Sequence, residues 1–317
     1  MTRLVVVELR RLLARRLTRW AAVGVLVILA FTAYSAHEQV YELTPARIAQ
    51  VRAEQLQPCL ESQAQARQQD PNADFHCTDP AFGNPDGQSA AFASVAAGSL
   101  GSTSYLLLFL AFLVGVSFVA AEFSSGAIGT WLTYEPRRTR VYVSKVVAAT
   151  SSALVVAVVS VGVLCGVVYL FARSYDIVGA TSGPPADHLV EVALRTVAVV
   201  GMAGLLGAVL GTLLRHTAAA LGVAIGYLVL IEGIVLDVLR TAVPEPRPWL
   251  IYPNVIAWLQ GGLQDDRAFD QPGVCTPEGV CNPPELISTT HAGFYLLVLS
   301  VLAFAVGAVV FRRRDVN

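Results

Sequence analysis

Few residues of this chain combine a reactive or charged side chain with a setting that gives it work to do. Arg195 and Glu232 are ionisable groups inside long apolar runs. An unpaired charge at mid-membrane costs about 2.5–3.5 kcal/mol on insertion scales, so each needs a partner. They stand at similar depths below the ends of neighbouring runs, which makes an ion pair between them the economical arrangement, with Asp237 and Glu191 nearer the headgroups. Ion or proton coupling is the sharper reading of the same two groups. Nothing else resembles a reaction centre. His37, His76, His188, His216 and His291 are scattered and make neither a metal-ligand set nor a Ser/His/Asp constellation. Asp265 and Asp266 lie in turn-forming sequence, where solvation accounts for them. No G-x-x-x-x-G-K-[ST] occurs, so the chain carries no P-loop. These patterns argue against enzymatic chemistry on this chain.

The elements that hold such charges follow from composition. Of 317 residues, 55% are hydrophobic and 14% charged, which argues against a soluble globular domain. A bilayer core about 30 Å thick takes roughly 20 apolar residues per spanning helix. By that measure six spans are expected, at 20–36, 102–121, 146–172, 189–214, 218–239 and 292–311. The fold class is therefore an all-α membrane protein.

Charge placement orients it. Arg3, Arg10, Arg11, Arg15, Arg16 and Arg19 precede the first span; Arg137, Arg138, Arg140 and Lys145 separate the second and third; Arg215 follows the fourth; Arg312, Arg313 and Arg314 follow the sixth. The positive-inside rule puts these segments, and both termini, in the cytoplasm. The acid-rich connections 37–101, 173–188 and 240–291 then face outward. A cleavable signal peptide is the competing reading of the first 36 residues, but its basic region would be unusually long and its loss would leave an odd number of spans. Cys59 and Cys77 fall in the first outward connection and Cys275 and Cys281 in the last, a compartment that permits disulfides. Of the three possible pairings we favour Cys59 with Cys77 and Cys275 with Cys281. Cys165, within the third span, reads as a small core residue. Lys145 is the only lysine in an arginine-rich chain, a composition that points to a GC-rich bacterial source.

Three further segments shape the architecture. Over 1–19, Val5, Leu9, Leu12, Leu13 and Leu17 recur at helical spacing with arginines to one side, which describes an interfacial amphipathic helix. The first outward connection reads as a polar helix followed by an irregular segment, a small cap stapled by its cysteines. Residues 246–263, PRPWLIYPNVIAWLQGGL, are aromatic and apolar but too short to span, and are expected to form half-helices before the last span. Gly204, Gly207 and Gly211 in span four, and Gly222 with Gly226 in span five, allow close helix packing.

The segment 122–145, EFSSGAIGTWLTYEPRRTRVYVSK, is longer than a hairpin between spans two and three requires. Glu122 closes the second span, Gly126 and Gly129 provide turns or close approaches, and Ala127 to Tyr134 can form a short helix. That helix would project Trp131, Leu132 and Tyr134 and stop at Pro136, with Arg137, Arg138, Arg140 and Lys145 at headgroup level. A short helix with exposed aromatics at the membrane face suits docking to a cytosolic partner. On these residues, Glu122, Gly126, Gly129-Thr130, Pro136-Arg137-Arg138-x-Arg140 and Lys145, the chain resembles the membrane subunit of type-2 ATP-binding-cassette (ABC) exporters, and the resemblance extends to the whole layout.

The resemblance implies that 122–145 holds the coupling helix, which docks into a nucleotide-binding ABC ATPase subunit. ATP and Mg²⁺ would then be bound by that partner. One six-span chain would be half of a pathway in a bacterial cytoplasmic membrane, completed by a second permease copy or a homologous permease, in contact with membrane lipids and without nucleic acid. Its cavity is expected between span two, span five and the half-helices, where Phe109, Phe112, Tyr227, Tyr252 and Trp258 are the candidate lining residues. An amphipathic, lipid-like or drug-like solute fits that description. An ion-coupled secondary transporter using Arg195, Glu232 and Asp237, or a scaffold that binds a cell-envelope protein, are the alternatives.

Overall fold

A computed structural model describes residues 2–68, 71–75, 77, 91–134, 137–179, 181, 183–235, 246–265 and 283–313. Among them, six helices are long and apolar enough to cross a membrane, so the protein is an all-α, multi-pass membrane protein. In order, α1 is Thr2–Ala14, α2 Arg16–Glu42, α3 Pro45–Arg67, α4 Ala91–Ser124, α5 Ala127–Tyr134, α6 Arg138–Ser174, α7 Pro184–Leu214 and α8 Thr217–Gly226. The fifth spanning segment then continues as a π-helix over Tyr227–Val235. A 3₁₀ turn at Arg247–Trp249 and α9, Ile251–Gln260, precede α10, Thr289–Arg313. A short ribbon departs from the sequence expectation: β1, Leu263–Gln264, where the expected half-helices end, pairs antiparallel with β2, Glu285–Ile287.

Local chemistry sets several of these boundaries. Pro45 and Pro184 occupy first helical positions, where the missing N–H is no loss. His216 caps α8 by accepting the Ala219 N–H at Nδ1, 3.4 Å away. Gly126, at φ +68°, reverses the chain after α4, and Gly261, at φ +86°, ends α9 in a left-handed cap.

The chain forms two compact units. The one made of Val27–Ser102 and Ser160–Ala193 contains α3. Cys59 and Cys77 are joined there by a disulfide, with Gln63 donating to Asp74 (3.1 Å) and Arg67 to the Ala73 carbonyl (2.9 Å). Within the same unit His37 meets the Tyr175 hydroxyl at 3.0 Å and Phe92 packs edge-on to Tyr169. Cys275 and Cys281 lie outside the described residues.

The other unit comprises Met1–Leu26, Thr103–Val159 and Leu194–Asn317. Its helices meet backbone to backbone where glycine permits. A methyl on Gly211 of α7 would stand 2.6 Å from the Val116 carbonyl of α4, one on Gly115 2.5 Å from the Gly204 carbonyl, and one on Gly207 would collide with the Phe112 carbonyl. Ser104 and Thr196 add a hydroxyl contact of 2.8 Å between the same helices. By contrast, a methyl on Gly222 or Gly226 of α8 meets nothing within 4 Å. Replacing Gly207 by Leu should therefore destabilise the fold by about 1–3 kcal/mol through overpacking, whereas Gly222→Leu should be neutral. Thermal unfolding of the two variants in one detergent checks this, and equal melting points would contradict the assigned packing.

Candidate functional site

The segment between α4 and α6 folds around a buried charge network. Glu122 stands in the last turn of α4, Lys145 two turns into α6, and Glu8 on α1; their exposures are 2%, 1% and 0%. The Lys145 ammonium donates to both Glu8 oxygens, at 3.2 and 3.1 Å, and to Glu122 Oε2. Arg15, in the break between α1 and α2, donates to Glu122 Oε1 at 2.9 Å and to the Ser117 carbonyl at 3.0 Å. Arg11 lies 3.5 Å from Glu8 Oε1 and 3.5 Å from Glu122 Oε1. The Phe118 ring backs the cluster, 5.2 Å from the Arg15 guanidinium carbon and 5.3 Å from Lys145 Nζ. Removing such ions from water costs several kcal/mol each, so the network holds only while α1, α4 and α6 stay together.

α5 hangs on this joint. Ile128 is fully buried in a core with Leu12, Phe118, Val141, Tyr142 and Phe311, contributed by α1, α4, α6 and α10. Tyr142 fastens α6 to α10 by donating to the Phe304 carbonyl at 2.8 Å. The opposite side of α5 is open: a methyl on Gly129 meets nothing within 4 Å, and Thr130 is exposed. Gly129 is thus helical and makes neither a turn nor a close approach within this chain, unlike Gly126. Arg137 and Arg140 are exposed and Arg138 is half-buried at the start of α6. Pro136 and the side chains of Trp131, Leu132 and Tyr134 lie outside the described residues.

The structure does not bring Arg195 to Glu232. The Glu232 carboxylate accepts the backbone N–H groups of Ile251 (3.0 Å) and Tyr252 (2.9 and 3.1 Å), at the start of α9. Arg195 stands at the other end of α9, where a methyl on Gly261 would lie 2.9 Å from its Nη1. Matching depth along two spans predicted the pair, but the amino end of the half-helix offers Glu232 backbone N–H partners, and Arg195 stands at the helix's other end. Asp237 lies outside the described residues, and among those described no group of three or more His, Cys, Asp or Glu could hold a metal ion.

The expected cavity residues separate likewise. Phe109, Phe112 and Tyr227 line an apolar groove of about 410 Å³, together with residues such as Met202, Val255 and Leu299. Trp258 is instead a packing anchor, its ring against Gly293 and its Nε1 donating to the Arg195 carbonyl at 3.0 Å. Tyr252 is half exposed and contributes its backbone N–H to Glu232.

The chain is thus a multi-pass bundle with a buried charge joint, a short helix between two spans and an apolar groove. Residues 8–316 match the family described as ABC-2 family transporter protein, and the chain belongs to that family. It is thus a permease subunit of an ABC transporter, a class of membrane subunit that works with an ABC ATPase and is not itself the ATPase. No individual curated protein matches the chain.

Sequence reasoning missed Glu8 and the inward roles of Arg11 and Arg15. Two signals were present: Glu8 is the only acid in the first 37 residues, and Lys145 the only lysine in the chain. Lysine suits the position because three donors on a compact ammonium can serve two carboxylates, whereas a guanidinium is a wide planar fork. Glu122→Ala should cost about 3–5 kcal/mol by leaving buried cations underpaired. Lys145→Arg keeps the charge but should still cost about 1–3 kcal/mol through misfit. Melting curves of the purified variants measure both, and a neutral Lys145→Arg would refute the steric part of this account.

Proposed function

We propose that the chain is the permease half of an ATP-driven exporter that moves an amphipathic, lipid-like or drug-like solute by alternating access. The observation that carries the reading is the burial of Glu8, Glu122 and Lys145 at the root of α5. A slack loop would absorb a push on α5. A joint of desolvated ion pairs passes it to α4 and α6, because sliding one helix away would strand charge in an apolar setting.

In this reading α5 is the coupling helix and both chain termini are cytoplasmic, in a bacterial inner membrane, consistent with the arginine-rich segments around it. The separate nucleotide-binding subunit supplies the P-loop, ATP and Mg²⁺. Gly129 and Thr130 leave room for close approach of that subunit, with Arg137 and Arg140 as flanking charges. A second copy or a homologous permease completes the pathway, and the groove beside Phe109, Phe112 and Tyr227 suits the apolar part of a solute.

The test is gentle purification of the tagged chain from its native membrane, identification of stoichiometric partners, and an ATPase assay. A P-loop ATPase should co-purify. Gly129→Trp, at a position open within this chain, should leave the melting point unchanged but weaken that association by more than about tenfold, as a blocked interface hot spot would. Association indifferent to Gly129→Trp would remove α5 as the docking element, and the absence of any ATPase would overturn the exporter reading.

A further inference from the structure

Span five does not end as it begins. After Gly226 the backbone is π-helical for nine residues, Tyr227–Val235, a conformation that is rare beyond a single turn and recurs at functional sites. It presents Glu232, 9% exposed, to the start of α9. The first N–H groups of a helix have no partner within it. Leu250, at the N-cap of α9, offers no side-chain acceptor. Glu232 takes that role from a different element, with Oε1 accepting from Ile251 at 3.0 Å and Tyr252 at 3.1 Å and Oε2 accepting from Tyr252 at 2.9 Å. An acid at the N-terminus and Arg195 near the C-terminus both match the helix dipole, and low surrounding polarity strengthens such contacts.

The two ends are not held equally. Toward α7 and α10, α9 is anchored by Trp258 on the Arg195 carbonyl (3.0 Å), by the Trp258 ring on Gly293, and by Tyr295 donating to the Trp249 carbonyl (2.9 Å) just upstream. Toward span five the Glu232 carboxylate accepts from the Ile251 and Tyr252 amides, and the Tyr227 hydroxyl also meets Glu232 and the Ile251 backbone. Ile251 and Val255 of α9 form one part of the apolar groove wall and Tyr227 and Leu228 of the π-helix another. Glu232 is the charged tie between these two parts, with the Tyr227 hydroxyl beside it.

We propose that Glu232 is a positioning residue: its carboxylate ties span five to the half-helix α9 and fixes the width of the apolar groove, and its release from the Ile251 and Tyr252 amides is a step of the transport cycle. The second clause rests on the exporter reading, and the first does not. Glu232 is not among the residues that line the groove and acts through α9.

Amide hydrogen exchange of the lipid-reconstituted chain, with its co-purified ATPase subunit, tests both clauses. Glu232→Ala should accelerate exchange at Ile251 and Tyr252 by about ten- to a hundredfold, the scale of a lost charge-assisted hydrogen bond, and leave α7 and α10 protected. Glu232→Gln, which keeps one acceptor oxygen but neither the second nor the charge, should exchange at an intermediate rate, slower than Glu232→Ala and clearly faster than the unsubstituted chain. If Glu232→Ala exchanges like the unsubstituted chain, the tie is refuted. If Glu232→Ala does not fold, Glu232→Gln decides, since exchange at these amides equal to the unsubstituted chain would mean that the negative charge does no positioning. Loss of protection throughout α7 and α10 in either variant would make Glu232 a general fold determinant and refute the local role. A non-hydrolysed ATP analogue should raise exchange at the same two amides in the unsubstituted complex. Unchanged exchange there, with ATP-dependent transport intact, would overturn the release step alone, and absence of ATP-dependent transport would overturn the exporter reading and leave the tie to be judged by the substitutions.

Discussion

One ammonium group sets the terms for half of this molecule. Lys145 is buried between Glu8 and Glu122, and these three charges come from α6, α1 and α4. Desolvated ions bind each other strongly only while their geometry is kept, and separating one from the others leaves an uncompensated charge. The joint is therefore stiff in a way that apolar packing alone is not, since apolar side chains can slide and repack at modest cost. Arg11 and Arg15 extend the constraint to the break between α1 and α2, which fixes the amphipathic helix against the bundle. α5 inherits this rigidity through Ile128, buried in the core that surrounds the ions.

The same physics takes another form near α9. An ionised side chain in an apolar setting needs a counter-dipole, and a helix end provides one without a second side chain. That is why the expectation of an Arg195 to Glu232 pair fails. It treats two spans as neighbours with only side chains between them, whereas a ten-residue half-helix presents its amino end to one charge and its carboxyl end to the other. The π-helical stretch that carries Glu232 also changes which face that residue occupies, and periodicity at α-helical spacing does not detect it.

What the sequence made legible was what length and composition control. Six apolar runs correspond to six long helices, although the helices extend past the apolar windows; α4 starts at Ala91 and α7 at Pro184, because polar ends still satisfy their own backbone. The short helix at Ala127–Tyr134 lies where Gly126 and the Pro136 signal bracket it. Partnership was less legible than position. Glycines spaced for close packing occur on α7 and α8 alike, yet methyls on those of α7 would meet α4 or α6 and those on α8 meet open space. Spacing says that a backbone can be approached closely and is silent on what approaches it. The inward turn of Arg15 was hidden for a related reason: in a run of arginines that all satisfy the positive-inside rule, composition does not single out the one that will meet a carboxylate 107 residues away.

Continuity of contact connects the two charged sites within one compact unit. Glu122 belongs to α4, and α4 meets α7 at Gly115, Gly207 and Gly211 through main-chain atoms. A contact of that kind has no rotatable side chain to absorb a shift, so a displacement of α4 along this face has to be shared by α7 or to break the contact. α7 carries Arg195, whose carbonyl receives Trp258 and whose guanidinium stands at the end of α9. From the joint under α5 to the half-helix beside the groove, each step is a buried ion pair, a glycine-mediated backbone contact or a hydrogen bond. The step that can change without breaking a helix-to-helix backbone contact is the last, because Glu232 joins span five to α9 through side-chain hydrogen bonds to two amides at the end of α9. A bundle that must stay intact while one wall of its groove changes position would be expected to keep its stiff contacts elsewhere and leave the adjustable one there.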